Sequence, residues 1–141
     1  VVDVVVVVDT NVVVAGLITA DTASPVARVL DGMLATAWPF AVSEALLTEY
    51  DRVLRRPALA RVHGLSSAAL GDLLTDLAQH AIVLRPQPGP PAPDPAEPML
   101  WDLLAWRDDL RLVTGDRALR AASRMAGRVL TPAEFIAGHR R

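Results

Sequence analysis

The chain has 141 residues, enough for one domain with a sizeable core, and its 14 basic and 16 acidic residues leave a net charge of −2, with no global pull toward nucleic acid. It contains no cysteine, which excludes disulfides, thiolate zinc sites and thiol catalysis. Every basic residue is arginine, so P-loop and Schiff-base chemistry are excluded with lysine.

Although the sequence is 52% hydrophobic, it has no apolar run near the about 18 residues of a membrane span. Its start carries Asp3 and Asp9 and no basic segment, unlike a signal peptide. The expectation is a cytoplasmic protein without membrane contact, with residues 1–141 forming a single domain.

Val4 to Val8 is an unbroken β-branched run, the pattern of a strand buried on both faces, and Asp9-Thr10-Asn11 bounds it with polar turn residues. Ser24-Pro25 opens a helix through Val29, Leu30 and Met33. Phe40-Ala41-Val42 predicts a second strand, after which Ser43 caps a helix running to Arg56 and stopped by Pro57. A short helix over 58–64 ends at Gly64, and Ser66 or Ser67 starts another through Leu70 and Leu77. Ala81 to Leu84 predicts a third strand. Seven of the 11 prolines then fall between Pro86 and Pro98, which reads as a surface loop because too few residues follow for a second domain. A helix over 97–107, a strand over Leu110–Thr114, a helix from Asp116, an edge strand at Val129-Leu130 and a helix from Thr131-Pro132 complete the chain. Strands alternating with helices predict an α/β fold with a parallel sheet covered on both faces.

Four acids are placed where such a fold gathers ligands. Asp9 and Asp116 each follow a strand, and the crevice beyond strand carboxyl ends is where open parallel sheets bind ligands. Glu49 borders the apolar stripe of its helix beside Leu46 and Val53, and Glu97 stands in register with Leu100, Trp101 and Leu104. Four acids in one pocket repel one another, a conflict that a divalent cation resolves, and an oxygen-only set suits Mg²⁺ or Mn²⁺. Thr10, Asn11, Ser43 and Thr114 are candidates to hold the carboxylates by hydrogen bonds, and Asp94 either joins them or caps a helix. Each acid also has an ordinary structural role open to it: a turn at Asp9, a helix cap at Asp116, a capping box for Glu97 with Asp94. His63, His80 and His139 show no ligand spacing, and no HExxH or GxSxG motif is present.

DTN at Asp9–Asn11, SEALLTEYDRVLRRP from Ser43 to Pro57, DPAEP from Asp94 to Pro98, VTGDRALR from Val113 to Arg120 and LTPAEFI from Leu130 to Ile136 together resemble the PIN domain family, most of all the VapC-like toxins of bacterial toxin–antitoxin pairs. The resemblance covers essentially the whole chain. It implies a three-layer α/β/α fold with a central, mainly parallel sheet, and metal-dependent hydrolysis of RNA with Mg²⁺ or Mn²⁺. The catalytic and metal-holding acids map onto Asp9, Glu49, Glu97 and Asp116. Glu97 departs from the aspartate usual in a DPDD-like segment, and Pro98 directly after it is also unusual. Arg52, Arg117 and Arg120 are candidates to hold flanking phosphates. A metal-activated water needs no protein nucleophile, in keeping with the missing cysteine and lysine. The implied partners are an RNA substrate and a cognate antitoxin that blocks the acidic cleft; the oligomeric state is left open, a homodimer included. The competing readings are a catalytically silent PIN-like module that binds RNA or protein, and a phosphoaspartyl enzyme. The second is disfavoured by Asn11, where a dehalogenase-like site wants an aspartate, and by the absent lysine that a receiver domain needs.

Overall fold

A computed structural model describes residues 5–86, 98–115 and 127–139. In chain order these form β1 (Val5–Val8), α1 (Thr10–Ile18), α2 (Pro25–Leu34), β2 (Ala41–Ser43), α3 (Glu44–Leu54), α4 (Pro57–His63), α5 (Ser67–His80), β3 (Ile82–Leu84), α6 (Pro98–Trp106), β4 (Leu110–Val113), β5 (Val129–Leu130) and α7 (Pro132–His139).

The valine run of β1 pairs in parallel with β4, Val5 opposite Leu110 through Val8 opposite Val113, and β4 pairs in parallel with β5. A second parallel ladder joins β2 and β3, and an isolated bridge between Val6 and Phe40 stitches the two ladders together. The strand order is therefore β3-β2-β1-β4-β5, with β1 at the centre and buried along its whole length. Helices cover the sheet in the three-layer α/β/α arrangement, which is why β1 can be valine throughout rather than alternating with polar residues. The chain leaves β1 toward β2 and later returns to β4 on the opposite side. That reversal between β1 and β4 opens a crevice at their carboxyl ends.

Most expected elements lie within one residue of their observed ends, and two differ by more. Where Asp9-Thr10-Asn11 reads as a turn, the structure passes directly into α1. Asp9 keeps extended angles (φ −61°, ψ 146°), and its carbonyl accepts from the N–H groups of Val12 (3.0 Å) and Val13 (3.3 Å). Valine is an indifferent helix former, but burial of Val12 and Val13 in the core outweighs that preference. Gly16 lets α1 lie against α2, since a Cβ there would sit 2.5 Å from the Val26 carbonyl oxygen. The second difference is the end of α3, at Leu54 rather than Arg56. Arg56 precedes Pro57 and is extended (φ −59°, ψ 135°), as a residue before proline prefers, and Pro57 opens α4.

The remaining boundaries follow from local chemistry. Ser24, Ser43 and Ser66 cap α2, α3 and α5 by accepting from the N–H three residues on. Gly64 ends α4 in the left-handed conformation, φ 67°. The C-terminal α7 folds back so that Phe135 meets Trp38 edge to face, ring centroids 4.9 Å apart. Arg128, just before β5, spreads its guanidinium over three carbonyls, those of Leu104 (2.9 Å), Arg107 (2.6 Å) and Leu110 (3.1 Å). No helix among the described residues is long and apolar enough to cross a membrane.

Candidate active site

Asp9 belongs to two elements at once. Its N–H donates to the Val113 carbonyl (2.9 Å), the last rung between β1 and β4, and its own carbonyl starts α1. The backbone thus delivers the side chain to the crevice at the strand ends, where it is only 2% exposed. Thr114 leaves the end of β4 beside it and donates Oγ1–H to Asp9 Oδ2 at 2.6 Å. Thr114 is itself fixed, since its N–H donates to the Leu130 carbonyl of the strand beyond (2.9 Å).

Glu49 arrives from α3, on the turn between buried Leu46 and half-buried Val53. The Thr10 hydroxyl, one residue past Asp9, donates to Glu49 Oε2 at 2.5 Å. Arg52, one helical turn on, stands 3.6 Å from Glu49 Oε1 with its side chain 60% exposed. Asp9, Thr10, Asn11, Glu49 and Arg52 line one groove of about 440 Å³, whose far end is walled by α1, α3 and α4.

Burial raises the Asp9 carboxyl above the ordinary aspartate value, and the charge of Glu49 adds to the rise. The hydroxyl of Thr114 and the N–H groups of Thr10 and Asn11 act in the opposite sense, favouring the charged form. Among the described residues no arginine forms an ion pair with Asp9. A carboxylate this deep, beside another and with no described arginine paired to it, is costly to keep charged.

The structure brings Asp9, Thr10, Asn11, Glu49, Arg52 and Thr114 to one place. It takes Ser43 elsewhere: that hydroxyl caps α3 by accepting from Leu46 N–H at 3.1 Å, and the residue lines a separate groove with Leu84, Arg85 and Met99. Asp94, Glu97, Asp116, Arg117, Arg120 and the helix expected from Asp116 lie outside the described residues. Within those residues no three acidic or histidine side chains are grouped closely enough to hold a metal ion. Of the histidines, His63 is a turn staple. Its Nδ1 accepts from Leu65 N–H (3.0 Å) and its Nε2 lies 2.9 Å from the Leu54 carbonyl.

One neighbour of the acids is absent from the sequence reading. Tyr50 follows Glu49, is fully buried, and donates its hydroxyl to the Val8 carbonyl. Burial, then the charges of Asp9 and Glu49, push its phenol far above the usual range, so it stays protonated and acts as a donor.

No curated protein sequence is significantly similar to the chain. A family model described as the PIN domain matches residues 5–118, from the start of β1 to just past the end of β4. PIN domains are generally nucleases, and generally use divalent metal ions. With most of its length inside that match, the chain belongs to the PIN domain family.

Proposed function

We propose that residues 1–141 form a single PIN domain that hydrolyses RNA internally with Mg²⁺ or Mn²⁺, as the VapC-like toxin of a toxin–antitoxin pair. The observation that carries the reading is Asp9: a carboxylate 2% exposed, facing Glu49 across a groove and paired with no described arginine. Such a pair is stabilised by a divalent cation, and oxygen donors alone fit the hard ions of this class.

In this reading Asp9 and Glu49 hold the ion together with Glu97 and Asp116. A bound Mg²⁺ or Mn²⁺ supplies Lewis acidity toward the phosphodiester and a water acidic enough to attack near neutral pH. Thr114 and Thr10 aim the two carboxylates, and the Thr114 hydroxyl favours the charged form of Asp9. Arg52 stands on the solvent side of Glu49, exposed enough to pair with a substrate phosphate. A cytoplasmic antitoxin restrains the activity by placing an arginine among the same carboxylates, a charge-assisted pair in place of the metal.

The test combines a tube assay with a growth assay. Single-stranded RNA should be cleaved with Mn²⁺ or Mg²⁺, and a chelator should stop the cleavage. Expression of the chain should arrest bacterial growth, and Asp9→Asn should relieve the arrest. Equal arrest by wild type and Asp9→Asn, with no cleavage by either, would replace the nuclease reading with that of a silent binding module.

A further inference from the structure

The two carboxylates come from segments 40 residues apart, and only one of them sits on a strand end fixed by backbone pairing. What holds Glu49 in register with Asp9 is visible in the residues on either side of each acid. Thr10, after Asp9, donates to Glu49 itself. Val8, before Asp9, accepts from Tyr50, the residue after Glu49. The β1–α1 junction is thus tied to α3 on both flanks of Asp9.

The parity of β1 explains why the Val8 carbonyl is available. Val5 and Asp9 direct their N–H groups to β4, toward the carbonyls of Asp109 (3.3 Å) and Val113 (2.9 Å). Val6 directs its N–H the other way, to the carbonyl of Pro39, two residues before β2 (3.1 Å). Successive strand residues alternate, so Val8 also faces the β2 side. There the pairing with β1 is a single isolated bridge at Val6, and two residues further on a side-chain hydroxyl takes the place of a ladder donor. A buried carbonyl requires a partner, and Tyr50 meets that need only if α3 sits at one height along β1.

We propose that Tyr50 is a positioning residue of the metal site: its hydrogen bond to Val8 sets the spacing between the Asp9 and Glu49 carboxylates. The assignment rests on reading those acids as metal-holding, and it makes a prediction that simple core packing does not. Tyr50 is the only tyrosine in the chain, so it can be changed or labelled without ambiguity.

Tyr50→Phe keeps the ring and removes the hydroxyl. The variant should retain the circular dichroism of wild type, melt at a lower temperature, and bind Mn²⁺ about 10-fold more weakly by calorimetry. Cleavage should fall at low Mn²⁺ and recover in part when Mn²⁺ is raised. Phe135→Leu, at a buried position that lines no part of the groove, is the control. It should lower the melting temperature without moving Mn²⁺ affinity. Wild-type Mn²⁺ affinity in Tyr50→Phe would make Tyr50 a packing residue and overturn the proposal. A wild-type protein that binds no Mn²⁺ at all would overturn the metal reading beneath it, a distinguishable result. A second measurement leaves the phenol in place: the protein carries 3-fluorotyrosine, and ¹⁹F resonance follows a Mg²⁺ titration. The single signal should shift as the site fills, and a signal unmoved at saturating, calorimetrically verified Mg²⁺ counts equally against the proposal.

Discussion

The floor and the wall of the groove hold their carboxylates in different ways. Asp9, on the floor, is positioned by backbone: a ladder rung on one side and a helix start on the other, with 2% of its surface exposed. Glu49, on the wall, is positioned by side chains, through Thr10 at 2.5 Å and an arginine mostly in solvent at 3.6 Å. With its backbone fixed on both sides, the aspartate has two side-chain torsions to settle, whereas the helical glutamate has three. The floor should therefore be costly to charge but hard to misplace. The wall should depend on its hydrogen bonds.

The largest effect expected is at the floor. Asp9→Asn should reduce cleavage by about a thousandfold or more, several kcal/mol of transition-state stabilisation, and should raise the melting temperature of the metal-free protein. The pH dependence fixes the sign. The folded Asp9 carboxyl is raised above its unfolded value, so its contribution to stability is fully present below the ordinary aspartate range and is lost as pH rises through the folded value. Metal-free wild type should lose stability relative to Asp9→Asn across that window, as read by thermal melts at a series of pH values. A metal-free Asp9→Asn less stable than wild type at neutral pH would show that the floor is not strained.

The two threonines come next and compare floor with wall directly. Thr114→Val removes the donor that favours an ionised Asp9, so the acid limb of the pH–rate profile should move to higher pH and Mn²⁺ affinity should drop about 10-fold. Loss of this buried hydrogen bond should also cost about 1 kcal/mol of stability. Thr10→Val should shift metal affinity less, because it frees only Glu49 on the wall and leaves the contacts of the buried Asp9 in place. Larger losses from Thr10→Val would reverse the ranking of floor and wall.

The smallest structural effect belongs to Arg52→Ala. A pair this exposed contributes little, and stability should change by within about 0.5 kcal/mol. Its readout is RNA binding in catalytically dead protein. The slope of log affinity against log salt should fall by about 0.7, the loss of one phosphate contact on a single strand. An unchanged slope would remove Arg52 from the substrate path.

Much of the fold was legible because single residues speak for it. Ser24, Ser43 and Ser66 announce helix starts, Gly64 a helix end, and Val5–Val8 a buried central strand. The helix after Asp9 was not legible, since Val12-Val13-Val14 has strand-like composition and only burial against the sheet and α2 makes it helical. The floor acid could be found from its place after a strand, and Glu49 from its place on an apolar stripe. Tyr50 could not, because its partner is a main-chain oxygen 42 residues away, on a strand edge whose exposure depends on where β2 diverges. Ser43 illustrates the reverse: one hydroxyl fits two roles in sequence, and the structure assigns it to the helix cap.

Arg128 has a consequence for how the far side of the sheet opens and closes. Its guanidinium collects the carbonyls of Leu104, Arg107 and Leu110, which belong to α6, to the turn after it and to the first residue of β4. Undocking β5 would therefore strip hydrogen bonds from three places at once and leave polar oxygens facing a poorer environment. The last turn of α6, the start of β4 and all of β5 should behave as one cooperative unit, with amides that become exchangeable in the same opening event rather than fraying strand by strand. Thr114 hangs from Leu130 of that unit, so native-state hydrogen exchange at β5 also reports how often the groove floor loses the group that holds Asp9.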